Sequence, residues 1–274
     1  MKKLYKKIYK KIRLPIKILK TLFKNSIHYQ DKFIADTFLI FSRCGILLAL
    51  YWYVFNIKGG VINNTTFLFA SWSIFFYFAF MLLHLRGISR MIMQDVQTGN
   101  IEILFSKPIS YLSYRMWWQI GFNLYSFIII TIIAVIVLIS ITGIPETMTI
   151  SIFIPTLILT FICGIILSLF LYTIVGLLSF WIEDINPIFM IVDKTIMILG
   201  GSYLPIALFP TIMYNIALYS PFGASQFITH TVYKTWQTNW YQLIGIQLFW
   251  IILLGLIIYF MFNKAKKRVS VNGG

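Results

Sequence analysis

MWWQIGFNLYSFIIITIIAVIVLISITGIP, residues 116–145, contains no charged side chain. An α-helix rises 1.5 Å per residue, so about 20 apolar residues cross a hydrocarbon core roughly 30 Å thick. A charge at the centre of such a helix costs about 2.5–3.5 kcal/mol on insertion scales. An uncharged run this long therefore reads as a membrane span. Four more surround it: Gly59 to Leu85, Thr147 to Ile182, Thr195 to Tyr233 and Thr235 to Asn263. A further stretch, about 33–57, is apolar except for Asp36 and Arg43. The spacing predicts six spans, at about 34–57, 67–86, 116–142, 151–180, 188–203 and 242–262. Gly200, Gly201, Pro205 and Pro210 interrupt the fifth.

Composition agrees. Of 274 residues, 59% are hydrophobic and 11% charged, against roughly 45–50% and about 25% in soluble domains. An ordinary soluble enzyme is excluded. The net charge of +15 does not read as a nucleic-acid surface, because the basic residues gather at the two ends and in one internal loop. Residues 1–32 hold eleven Lys and Arg, the loop around 86–115 four and the tail after Phe262 four, whereas Lys58 and Lys234 stand alone on the other side. The positive-inside rule puts both termini in the cytoplasm. The outward connections are then 58–66, 143–150 and about 203–241. The last is too apolar and aromatic for a solvated loop, and reads as short helices re-entering the outer leaflet against protein.

The organisation expected is a basic segment 1–32, a six-span domain 33–262 and a cytoplasmic tail 263–274. Residues 1–32 interleave their cations with Leu4, Ile8, Ile12, Ile16, Ile18 and Leu22. Two readings stand equally: an amphipathic helix lying on anionic lipid, or a basic segment that merely retains the N-terminus inside. Cys44 and Cys163 both fall in apolar runs and give no disulfide framework. His28, His84 and His230 have no metal-ligand spacing.

The most polar internal segment is RGISRMIMQDVQTGNIEILFSKPISYLSYR, residues 86–115. Residues 89–97 suit a short helix presenting Met91, Ile92 and Val96, ended by Gly99, and a short helix with an apolar face suits a groove on a partner. Asp95, Gly99, Asn100, Ile101, Glu102, Lys107, Pro108, Ile109 and Ser110 resemble the D-x-x-x-G-[NE]-I-x-x-x-L-x-[RK]-P-[ILV]-[SD] stretch of permease subunits in ABC-2-type ABC transporters. Phe105 stands where that pattern usually has Leu. The likeness continues through GLLSFW at 176–181, the pair Glu183 and Asp184, Gly200 and Gly201 followed by Pro205, Phe209-Pro210 and Ser220-Pro221-Phe222.

That resemblance implies an all-α integral membrane protein of the ABC-2 exporter fold: six spans, an N-terminal interfacial helix, a cytoplasmic coupling helix and outer re-entrant helices. It implies a permease paired with a second one, identical or paralogous, and with two copies of a separate ABC ATPase that binds ATP and Mg. No GxxxxGK[ST] phosphate loop occurs in the chain, in keeping with that division of labour. The coupling residues implied are Arg90, Asp95, Gly99, Asn100, Ile101 and Glu102. The setting would be a bacterial plasma membrane, and the cargo an amphipathic or hydrophobic drug, peptide antibiotic or lipid-linked molecule. No cofactor, metal or nucleic acid is expected on this chain; membrane lipids are.

The remaining ionisable residues each admit a plain reading. Arg43 lies inside the first span on the face of Asp36; pairing with Asp193 or snorkelling to headgroups is favoured over contact with an anionic substrate group. Asp193 and Lys194 point about 100° apart on the fifth span, so at least one faces an interior. Glu183 and Asp184 are read as contacts of a wet inner loop with the ATPase rather than an acid/base pair. An intramembrane lipid-modifying transferase would need converging catalytic groups at one membrane face, and an ion-driven transporter broken helices around midplane carboxylates. Neither pattern is visible.

Overall fold

A computed structural model describes residues 2–105, 109–145 and 150–272. Helix α1 (Lys2–Ser26) carries the basic segment and breaks at residues 27–29, before α2 (Gln30–Ile57); the N-terminal helix is therefore shorter than the 1–32 expected. Leu22 of α1 is 4% exposed and rests on α6 (Tyr111–Thr142), where Gly121 lies beneath Leu19 and Leu22. Leu19 and Leu22 of α1 are thus covered by their own protein, while Ile16 is exposed.

After α2 a small hairpin intervenes, β1 (Val61–Ile62) and β2 (Thr65–Thr66), paired antiparallel with Val61 opposite Thr66. Asn63 and Asn64 take φ of 48° and 57°, the left-handed pair that a two-residue turn of this kind requires. Helix α3 (Phe67–Met81) follows, then α4 (Gly87–Gln97) and α5 (Asn100–Phe105). The second span, expected to reach 86, stops at Met81 because the chain turns at His84, whose φ is 46°. Beyond α6 come α7 (Ile150–Leu177), prolonged by a 3-10 turn at Leu178–Phe180, and α8 (Asn186–Leu199), with Pro187 in its first turn, where a missing N–H does no harm.

Residues 200–233 form short pieces: 3-10 turns at Ile206–Leu208 and Phe227–His230 around α9 (Thr211–Tyr219) and α10 (Pro221–Ala224). They lie against the long helices, and their free carbonyls are met by side chains. Gln247 Nε2 donates to Ala224 O at 2.9 Å, Ser73 Oγ to Thr229 O at 3.1 Å, Trp250 Nε1 to Tyr219 O at 3.0 Å, and the Tyr51 hydroxyl to Tyr203 O. Irregular backbone survives away from water only when so satisfied. Helix α11 (Lys234–Asn272) closes the chain. It starts eight residues before the expected 242, because the outer connection ends at Tyr233, and it runs on through most of the expected tail.

Among the described residues, four helices are long and apolar enough to cross a membrane: α2, α6, α7 with its 3-10 extension, and α11. The shorter α3 is apolar throughout, and its interior residues Ala70 to Phe75 are buried. The core sits around α7, whose Leu167, Leu171 and Val175 pack with Ile88 and Ile92 of α4, Leu254 and Ile258 of α11, and Phe227 of the outer pieces. The centre of the molecule thus joins α4 at one end to the short pieces of 200–233 at the other. Six crossings are not needed to explain this packing, and four satisfy the length criterion.

Candidate functional site

Helices α4 and α5 form an elbow about Gly99, whose φ of 71° favours glycine and lets the chain reverse without strain. The inner face of α4 is apolar. Ile88 and Ile92 are fully buried, and α4 approaches α7 at Gly176, where there is no room for a side chain. The sequence predicted that Ile92 would face a partner; it faces α7 instead, where Gly176 leaves room for it. Met91 and Val96 are half-buried on the same core.

Asp95 is 4% exposed, and its carboxylate is fully partnered. Arg115 Nε donates to Oδ2 at 2.7 Å, the Arg115 Nη2 donates to Oδ1, and the Tyr111 hydroxyl donates to Oδ2 at 2.6 Å. A forked guanidinium and a phenol on one carboxylate satisfy what burial would otherwise make costly. They also pin α4 to the first turn of α6. Ile101 is 3% exposed in α5. Of the six residues expected to couple, Asp95 and Ile101 are buried within the elbow, while Arg90, Gly99, Asn100 and Glu102 are exposed. Gln94, Gln97, Thr98 and Ile103 share that outer surface. The Lys107-Pro108 part of the motif lies outside the described residues.

The second inner loop meets the elbow: Gln97 Nε2 donates to the Glu183 carbonyl oxygen at 2.9 Å. Both Glu183 and Asp184 are exposed, and Asp184 Oδ1 accepts from the Asn186 backbone N–H at 2.9 Å and from its amide at 2.7 Å, capping α8. Asp184 thus satisfies one of the free N–H groups at the start of α8 as well as carrying a surface charge.

A second polar layer lies where α2, α3 and α8 converge. Asp193 is 5% exposed; its Oδ1 accepts from the Tyr172 hydroxyl at 2.8 Å, and Oδ2 lies 3.6 Å from Arg86 Nη1. The expected pairing of Asp193 with Arg43 is therefore corrected: Arg86, at the turn into α4, takes that place. Lys194 is exposed and turns to Met197 Sδ at 3.7 Å. His84 Nε2 lies 3.0 Å from Asp36 Oδ1, and the His84 carbonyl accepts from Gln119 Nε2 at 2.6 Å. Arg43 lines a small cavity of about 70 Å³ with Asp36, His84 and Arg86.

Sequence reasoning counted Arg86 and Arg115 only as orientation charges and missed both pairs. A signal was present: each buried Asp in a chain with so few acids demands a cation, and Arg86 and Arg115 are the cations bordering the uncharged runs.

Fold and site define a multi-pass α-helical membrane protein with a helical elbow, α4 and α5, packed on its central helix α7. Residues 41–273 match the ABC-2 family transporter protein family, and the chain belongs to it. A search among curated proteins returns no match. As a member, the chain is the membrane component of a transporter.

Proposed function

We propose that this chain is the permease subunit of an ATP-driven exporter, working as a dimer with two ATPase subunits in a bacterial plasma membrane, both termini cytoplasmic. The observation that carries the reading is the elbow: α4 is bonded to α6 through Asp95, packed on α7 at Gly176, and tied to the second inner loop through Gln97. Its outer surface, polar at Gln94, Asn100, Glu102, Glu183 and Asp184 with the exposed apolar Ile103 among them, is what an ATPase would grip. Closure of two ATPases would move this surface with α6 and α7 as one body, a two-state rigid-body switch.

Six crossings follow in this reading. Helix α3 spans about 22 Å at 1.5 Å per residue, short of a full core, and the turn at 82–86 completes it. Helix α8 and the outer pieces complete the fifth, those pieces re-entering from outside. The cargo is amphipathic or hydrophobic. Co-purification in mild detergent tests the proposal. An ATPase subunit should accompany this chain and be lost when Gln94→Asp, Glu102→Lys and Ile103→Asp are combined; a chain that purifies folded and alone would overturn it.

A further inference from the structure

At the cytoplasmic end of α2 and α6 a cavity of about 400 Å³ is lined by Lys32, Arg86, Arg90 and His84, with Trp118 and Phe122 among its walls and no carboxylate. His84 and Arg86 also border the smaller cavity that holds Arg43. That one shares Ile40, Phe78 and Leu82 with a third, about 240 Å³, whose walls from α2, α3 and α6 are almost wholly apolar and include Cys44, Ala134 and Ile141. The three adjoin in this order. From the level of Asp36 to that of Leu48 the path follows α2 for about 18 Å, more than half of a core roughly 30 Å thick.

The charges along it do not balance. Lys32, Arg43, Arg86 and Arg90 face this path against two nearby acids: Asp193, which lies 3.6 Å from Arg86 and accepts from Tyr172, and Asp36, whose Oδ1 lies 3.0 Å from His84. Arg90 stacks on Phe189 at 4.7 Å and Lys32 on Phe122 at 4.0 Å, while the Lys32 ammonium donates to Asn123 Oδ1. Ring faces and a neutral amide leave these cations without a carboxylate of their own, and a guanidinium fork matches phosphate or carboxylate oxygens.

We propose that this path binds an anionic amphiphile, its phosphate or carboxylate head among Lys32, Arg86 and Arg90 and its single apolar chain in the groove between α2, α3 and α6. This rests on the permease reading and gives it a substrate class. A single anionic head explains the unbalanced cations, and one chain explains why the apolar groove begins where the cations end.

The test uses the full chain in phosphatidylcholine nanodiscs, with radiolabelled dodecyl phosphate as probe and empty discs as blank. Saturable binding near one per chain is expected, at least tenfold tighter than that of dodecyltrimethylammonium, a comparison that needs no variant. Combined Lys32→Gln and Arg90→Gln should weaken it about tenfold or more. Ala134→Trp, which fills the groove, should weaken it while Arg90→Lys retains it. Equal binding of the cationic and anionic detergents, or unchanged binding in the Lys32 and Arg90 variant, overturns the proposal. So does displacement by inorganic phosphate at the same concentration as dodecyl phosphate, which would mean a site for the head alone. Binding is read without any ATPase, so its failure is distinct from failure of co-purification.

Discussion

Ile92 of α4 sits directly over Gly176 of α7: a Cβ added at 176 would lie 2.9 Å from Ile92 Cδ1 and 3.0 Å from Ser89 Cα. The backbone of one helix thus touches the other with nothing between. Gly176→Val is expected to push α4 outward and cost about 1–3 kcal/mol, the usual range for overpacking. Ile92→Ala in the same chain should recover part of it. Thermal unfolding in detergent for the single and double variants checks this, and equal losses in both would contradict the contact.

The carboxylate of Asp95 ranks its partners. Arg115→Leu leaves a buried charge without its fork and should cost on the order of 3–5 kcal/mol. Tyr111→Phe removes one hydrogen bond to a charged group, about 1.5–3 kcal/mol. Arg115→Lys should fall between wild type and Arg115→Leu, since an ammonium cannot take both oxygens in a fork. The order of melting temperatures reads this directly. Protease sensitivity around residues 98–105 should rise in the same order.

Arg86 and Asp193 are a looser pair, 3.6 Å apart with the Arg86 side chain 41% exposed, so Arg86→Gln should cost less than Arg115→Leu. Asp193→Asn keeps a partner for Tyr172 and should cost less than Asp193→Ala. The double variant Arg86→Gln with Asp193→Asn should lose less than the sum of its parts. Strict additivity in melting temperature would show that the two side chains do not interact.

Leu22 anchors α1 on α6. Leu22→Asp should free α1 from the helix it covers, exposing residues 14–29 to protease while leaving the spans inserted. Limited proteolysis of membrane vesicles, followed by mass spectrometry, reads the cut. No change in cleavage would mean that α1 is held by lipid rather than by α6.

Much of this was legible from periodicity and charge. The long helices α6, α7 and α11 follow from runs without charge, α2 from a stretch apolar but for Asp36 and Arg43, and the end of α4 from Gly99. The ends of α3 and α11 were not legible. An uncharged run states where a helix is allowed in hydrocarbon, and the left-handed turn at His84 is set by Asp36 and Gln119, residues far away in sequence. The elbow was found by its motif, but the direction of its apolar face was not. Met91, Ile92 and Val96 fit a partner's groove as well as α7, and only the bare backbone at Gly176 decides between them. The pairs of Asp95 and Asp193 were hidden for a different reason: orientation counting treats each cation as a loop charge and never asks which acid it neutralises.

The turn at His84 bears on how force passes through the molecule. Its carbonyl is held by Gln119 and by the backbone N–H of Gly87 at 2.8 Å, and its ring by Asp36. A joint clamped at three points transmits torque instead of absorbing it. A push on the outer surface of α4 would therefore reach α2 and α6 through His84, with Gly99 at the opposite end of α4.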